Sequence, residues 1–386
     1  MSESLYFPPE EFEQRLGRLQ TAMAERALDG CLISGPENVF YLCGLSHQGF
    51  FAYHALIVTR EGEMALIARA MERVTVEALV SSARFIGYAD GDDPVRVTVE
   101  ALRELELGTG RLGVEKGNLF LPPRITEGIA FCLPQIELVD VTGLVDGFRQ
   151  AKSARELAYT RQAAAVTDAM MAAALETAGP GVNEREVAAA VHEAMILAGG
   201  TYPGFGPFVR STPTLGQEHR TWQDRALQPG DALFVEVAGC VRRYHAPMGR
   251  LIYIGEAPPG TGEMEKVCLE AFACITNAIR PGALARDVYG AWQARVDAAG
   301  LAHYRRHHCG YLVGIGFPPS WVGGSTVVGL RHDSDLELRE GMVFHLMSWL
   351  MGTGRNGDYF VSDAAVVTAD GCTRLTTTPQ HLHVVH

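Results

Sequence analysis

The sequence has no surplus of positive charge. Lys and Arg number 33 against 45 Asp and Glu, a formal net charge of −12. A surface of that sign repels phosphate backbones and anionic headgroups, so neither a nucleic-acid nor a membrane partner is expected. No apolar run reaches bilayer-spanning length, and Met1-Ser-Glu-Ser opens no basic-then-apolar leader. A cytoplasmic location is the expectation. Cys31, Cys43, Cys132, Cys240, Cys268, Cys274, Cys309 and Cys372 include no C-x-x-C pair. Reduced thiols fit that scatter better than a disulfide framework or a zinc knuckle. Gly323-Gly and Gly352-Thr-Gly lack the strand–loop–helix setting of a phosphate cradle, so no nucleotide cofactor is implied.

What is present suits two globular domains. The chain has 386 residues, 47% hydrophobic and 20% charged, enough for sizeable cores. Pro9 to Ala27 has helical periodicity, and Gly30-Cys-Leu-Ile-Ser reads as a short buried strand. The stretch from Phe40 to His54 is dense in aromatics. Ala55–Thr59 and Met64–Ala68 flank Arg60-Glu-Gly-Glu, a hairpin signal. Val95–Leu107 and Pro123–Phe131 read as helices, Arg111–Glu115 and Ile136–Val141 as strands. This alternation predicts a small α/β domain over 1–146. The linker runs from Leu144 to Ala151.

The second domain, 152–386, opens with Ser153-Ala-Arg-Glu156, a capping-box pattern before a helix reaching about Thr177. Asn183-Glu-Arg-Glu186 resembles that signal and starts a helix to about Ala198. Gly179-Pro-Gly-Val-Asn-Glu-Arg-Glu-Val recurs as Arg280-Pro-Gly-Ala-Leu-Ala-Arg-Asp-Val, and the match continues to Gly199 and Gly300 at one offset. A repeated turn–helix unit predicts a duplicated half, with two sets of antiparallel strands and a cleft between them.

The residue to explain is Glu236. It interrupts the apolar strand Leu233–Val237, which is joined by a turn to a second strand, Arg250–Ile254. A carboxylate among apolar neighbours is costly unless paired or chemically used. Arg250 and Arg243 are the candidate structural partners. The alternative is a nucleophile or general base.

Lys152-Ser-Ala-Arg-Glu156, the duplicated Pro-Gly unit, the 230–255 hairpin, Gly314-Ile-Gly-Phe-Pro-Pro, Leu338-Arg-Glu-Gly-Met-Val-Phe344 and Val361-Ser-Asp-Ala-Ala-Val-Val-Thr368 stand in the order of the "pita-bread" family. That family holds methionine and Xaa-Pro aminopeptidases, prolidase and creatinase. The chain resembles it over nearly its whole length. The resemblance implies an α+β, creatinase-like two-domain chain with a pita-bread C-domain. The family's metal peptidases use five ligands. Here those positions fall at Glu236, Pro247, Tyr311, Met347 and Ser362, the last with Asp363 beside it. Such a set does not suit a dinuclear centre of hard cations, so no metal and no cofactor are expected. Creatinase and ectoine hydrolase are metal-free members. Ectoine-hydrolase-like enzymes resemble this chain most, at Val235-Glu-Val-Ala-Gly, Arg243-Tyr-His-Ala-Pro, Tyr311, Gly314-Ile-Gly-Phe-Pro-Pro-Ser-Trp321 and Phe344-His345.

The implied activity is hydrolysis of a C–N bond in a small nitrogenous solute such as ectoine or another cyclic amidine. A creatinase-like amidinohydrolase is the alternative. Two further readings are an atypical metal-dependent Xaa-Pro peptidase and a non-catalytic binding module. Glu236 would attack the carbon or activate water. His219, in the polar loop Gly216–Trp222, and His245 would move protons. Tyr311 and Trp321 would wall the pocket, with His345 and Asp363 as further substrate contacts. Phe50, Phe51 and Tyr53 match a region that, in creatinase, reaches the partner subunit's site, which implies a homodimer. His303, Arg305, Arg306, His307 and His308 form a basic cluster that reads as a solvated face.

Overall fold

The computed structural model describes residues 6–324 and 326–386. It divides into two compact units, Met1–Arg149 and Gln150–His386. The division falls inside the expected linker. Among the described residues no helix is long and apolar enough to cross a membrane.

The first unit contains helices α1 (Pro9–Glu25), α2 (Pro36–Cys43), α3 (Arg73–Leu79), α4 (Pro94–Glu104), α5 (Pro123–Cys132) and α6 (Leu144–Phe148). Its strands are β1 (Gly30–Ile33), β2 (Ala55–Thr59), β3 (Met64–Arg69), β4 (Arg84–Tyr88), β5 (Gly110–Val114) and β6 (Ile136–Asp140). They form one sheet in the order β4-β3-β2-β1-β5-β6. The β1–β2 and β2–β3 pairs are antiparallel and the rest parallel. The central strands β1 and β2 are wholly buried, which is why they read as continuous apolar runs rather than alternating ones. Strand β4 escapes sequence reading because it is mostly half-exposed at the sheet edge. Glu115, just after β5, is buried and accepts hydrogen bonds from the Ser34 and Gly35 backbone N–H groups at 2.8 and 2.9 Å and from Asn38 Nδ2.

The second unit begins with α7 (Ala154–Thr177) and α8 (Glu184–Leu197), each starting with a complete capping box, on Ser153 and Asn183. Strands β7 (Phe208–Ser211), β8 (Ala232–Val241) and β9 (Tyr244–Ile254) follow. Then come α9 (Thr261–Ala278) and α10 (Ala285–Val296), and strands β10 (Gly310–Leu312), β11 (Val343–Leu350), β12 (Tyr359–Thr368), β13 (Gly371–Arg374) and β14 (His383–Val385). The sheet runs β10-β11-β12-β9-β8-β7, with β13 on β12 and β14 on β9. The duplication is visible in the backbone. Gly181 and Gly282 share φ +83°, and α8 and α10 start at the corresponding residues Glu184 and Ala285.

One face of this sheet carries the helices. Val235 and Val237 pack with α7 and α8, and Phe344 and Leu346 with α9 and α10. The other face carries a separate core of Phe208, Phe234, Tyr311, Trp321, Met347 and Phe360. Because strand side chains alternate, every second residue of β8, β11 and β12 belongs to that second face.

The hairpin is longer than expected. Its second strand starts at Tyr244 rather than Arg250, and Arg242-Arg243 is a two-residue turn with φ of 49° and 71°. Both positions of such a turn need positive φ, which favours Asn and Gly. Arginine there costs about 1 kcal/mol per residue. Arg243 is held by hydrogen bonds to the Gly316 and Tyr202 carbonyls and lies over the Phe317 ring at 4.5 Å.

Candidate active site

Glu236 sits mid-strand in β8, opposite Phe208 of β7 and Gly249 of β9. Parity puts it on the face without helices. Its side chain is 12% exposed and lines a cavity of about 320 Å³. Neither expected structural partner reaches it. Arg250 pairs with Asp363 at 3.0 Å, and Arg243 is bound to carbonyls. Among the described residues Glu236 has no hydrogen bond. Its one ionisable contact within 4 Å is His345 Nδ1 at 3.7 Å. Burial pushes its carboxyl up to about 7, against a lowering by Arg210 and with a further rise from Glu218.

A hydrogen-bonded line stands beside it. Trp321 Nε1 donates to the Tyr311 hydroxyl at 3.0 Å, which lies 2.8 Å from His345 Nδ1. His345 Nε2 lies 2.7 Å from Ser362 Oγ. A hydroxyl can donate or accept, so the line is satisfied with the imidazole proton on either nitrogen. Burial, with His308 and Arg250, pushes His345 down to about 3, so the ring is neutral. Burial, and then the charge of Glu236, pushes Tyr311 up, so its hydroxyl stays protonated.

The remaining wall is partly aromatic and partly basic. Phe205, Phe208, Trp321 and Trp349 supply rings, and His219 lies at the edge, its ring 6.0 Å from that of Phe208. Arg306, His307 and His308 also line the cavity. His303 and Arg305 are exposed, as expected of that cluster, whereas Arg306 and His308 are half-buried against the cavity and His307, though exposed, lies at its rim. Arg306 donates to Glu218 at 2.9 Å and lies over the Trp349 ring at 4.5 Å. Burial alone would raise Glu218, but Arg306, His307 and Arg210 outweigh it and hold the carboxyl low. His308 has an unpartnered Nδ1 among the described residues and is pushed down to about 3 by burial and its cationic neighbours.

Two residues of the second unit expected at the site, His245 and Asp363, are held away from Glu236. His245 pairs with Cys240, four residues beyond Glu236 and about 13 Å along the strand. Its Nε2 accepts the Gly204 N–H at 2.9 Å and its Nδ1 faces the Gly314 carbonyl at 3.3 Å. Both nitrogens are occupied, and burial pushes the ring down to about 3. Asp363 follows Ser362, so it points to the opposite face, where Arg250, Thr376 and Gln380 bind it. In the first unit, Phe50 packs on Phe120, Tyr53 bonds Thr98 at 3.0 Å, and Phe51 is 77% exposed.

The five positions of the family's metal ligands do fall together on this face. Met347 is the register partner of Ser362, and Tyr311 of His345. Their donors do not fit a dinuclear cluster. Only Glu236 is a carboxylate, the two hydroxyls are engaged by His345, Met347 offers a thioether, and Pro247 offers nothing. Among the described residues no three His, Cys, Asp or Glu converge on a cation site.

Fold and site together define a creatinase-like two-domain hydrolase. The chain belongs to metallopeptidase family M24, whose profile matches residues 158–369, preceded by a creatinase/prolidase N-terminal domain over 15–151. It is 30% identical to hydrolase/peptidase y4tM of Sinorhizobium fredii, over 98% of this chain and 99% of that one. It is 28% identical to the ectoine hydrolase of Halomonas elongata, over 99% of both. Among solved structures, dipeptidase PepE of Mycobacterium ulcerans superposes with a TM-score of 0.82 at 25% identity, over 98% of this chain and 99% of that one.

Proposed function

We propose that this protein hydrolyses a C–N bond of a small nitrogenous solute without metal, ectoine or a related cyclic amidine being the substrate. The observation that carries the reading is Glu236. It is a largely buried carboxylate with no hydrogen-bond partner among the described residues, its carboxyl pushed up to about 7 by burial, on the wall of a cavity sized for one small ring. Family membership supports hydrolysis, and the similarity to an ectoine hydrolase supports the substrate class.

Two routes start from ionised Glu236. As a nucleophile, its oxygen bonds to the amidine carbon, the ring C–N bond breaks once that nitrogen is protonated, and water then adds to the carbon of the resulting glutamyl imidate and expels the carboxylate, leaving an amide. As a base, it takes a proton from water while the hydroxide oxygen bonds to the same carbon, and the same C–N bond breaks. Either route consumes one water and yields an amine and an amide. His219 reaches the cavity and can supply the proton to the leaving nitrogen. The Tyr311–His345–Ser362 line takes the second proton-handling role in place of His245. Tyr311, Trp321 and Trp349 exclude bulk water and face a delocalised cation with their rings. The enzyme is proposed to be cytoplasmic and a homodimer.

The resemblance to dipeptidases favours a second reading, Xaa-Pro peptidase activity. A mass-spectrometric screen of ectoine, hydroxyectoine, creatine and Xaa-Pro dipeptides separates the two. The proposal expects ring-opened product from ectoine and none after Glu236→Gln. Cleavage of dipeptides alone overturns it.

A further inference from the structure

Arg210 is a cation in the wrong place for a structural residue. Its side chain is fully buried in β7, on the same face as Phe208 and Glu236. The guanidinium lies 3.9 Å above the Phe234 ring. Nε donates to the Leu215 carbonyl at 3.2 Å and Nη1 to the Glu218 carbonyl at 2.8 Å. Nη2 has no partner among the described residues. Among the described residues no carboxylate is hydrogen-bonded to it. A buried charge without a counter-ion is strongly unfavourable, so an uncompensated guanidinium needs a through-space partner. The carboxylates acting on it are Glu236 and Glu218. Glu218 already holds Arg306, which leaves Glu236.

We propose that Arg210 is a positioning residue: its buried guanidinium is the fixed counter-charge of Glu236 and, through the Leu215 and Glu218 carbonyls, pins the loop that carries His219. The inference rests on Glu236 being the working carboxylate. Every other group facing Glu236 acts differently. Glu218 from the loop opposes its ionisation, His345 on β11 and His308 are neutral, Tyr311 on β10 is a protonated phenol, and β9 presents Gly249. Arg306, His307 and His219 line the same cavity, but Arg306 is held by Glu218. Among the described residues Arg210 is then the cation whose charge favours ionised Glu236, and the same side chain places His219 at the cavity edge. Neutralising it disturbs both arms of the proposed acid–base pair from a residue that never touches substrate.

The test needs no substrate. Carbon-13-labelled glutamate carboxyls are titrated by NMR in the full chain, with the Glu236 signal assigned by its loss in Glu236→Gln. In Arg210→Gln, which keeps donors but removes the charge, the Glu236 midpoint is expected to rise by about one pH unit or more. Arg210→Lys is expected to restore it. With the activity assay in place, the acid limb of kcat/KM moves by the same amount in Arg210→Gln and returns in Arg210→Lys. An unchanged midpoint in folded Arg210→Gln overturns the proposal. Should that variant not fold, a wild-type Glu236 midpoint above about pH 9 overturns it equally, because the carboxyl would then have no counter-charge. A midpoint that moves while Glu236→Gln still hydrolyses substrate would instead retire the proposed reaction and leave the charge pairing intact.

Discussion

Two carboxylates, Glu115 in the first unit and Glu236 in the second, invite comparison. Burial pushes both Glu115 and Glu236 up to about 7. Their surroundings are opposite. Glu115 accepts three hydrogen bonds, two from the backbone before α2 and one from Asn38. Glu236 accepts none among the described residues and faces a cavity. A raised pKa by itself is thus no mark of a site. The mark is a raised pKa on a group whose lone pairs the protein has left open to a ligand.

The sharpest way to break this comparison is by activity. Glu236→Gln is expected to lower kcat at least about a thousandfold. Glu115→Gln is expected to keep wild-type turnover per folded molecule, measured after correction for folded fraction. Next in size, His219→Asn should cost about a hundredfold in kcat, whereas His245→Asn should leave kcat near wild type. An equal loss in both would return His245 to the chemistry.

Stability at low pH should separate the two carboxylates. Near pH 4 both carboxyls are protonated in either state, so Glu115→Gln, which sets an amide N–H₂ against the Asn38 Nδ2 donor, should cost about 2 kcal/mol in urea unfolding, whereas Glu236→Gln should be close to neutral. Glu236→Gln should stabilise above pH 7, by roughly 3 kcal/mol at most. The sign follows from a carboxyl whose folded pKa is raised from 4.5 to about 7. Below pH 4.5 it is neutral in both states. Between 4.5 and 7 the unfolded chain releases its proton first, so stability falls as pH rises. The gain from Glu236→Gln should therefore vanish near pH 4. The smallest effect is expected from Tyr311→Phe, about tenfold in kcat, because it interrupts the line between Trp321 and His345 while keeping the ring.

Most of the architecture was readable from local signals. Ser153 and Asn183 announce their helices through capping boxes, and the Pro-Gly unit announces the duplication. Glu236 stands out by itself, a charge in an apolar strand. The rest of the site depends on facts that no local pattern carries. Arg210 lies on a four-residue strand whose only meaning is its register on β8. Arg306 and His308 look solvated because a loop gives no period from which to infer a face, yet the fold half-buries them against the cavity. For Asp363, strand parity alone settles the face. Ser362 and Asp363 are neighbours on one strand, so only one can share a face with Glu236. The hairpin turn was hidden because arginines occupy positions where glycine or asparagine is expected.

Glu236, and no metal centre, is the proposed source of the chemistry. The most direct measurement of this is turnover of the purified, dialysed full chain on ectoine with excess chelator, alongside the metal content of the same sample. The account predicts undiminished turnover with far less than one metal ion per chain. Turnover lost on chelation and restored by manganese, with one or two ions bound per chain, would contradict it.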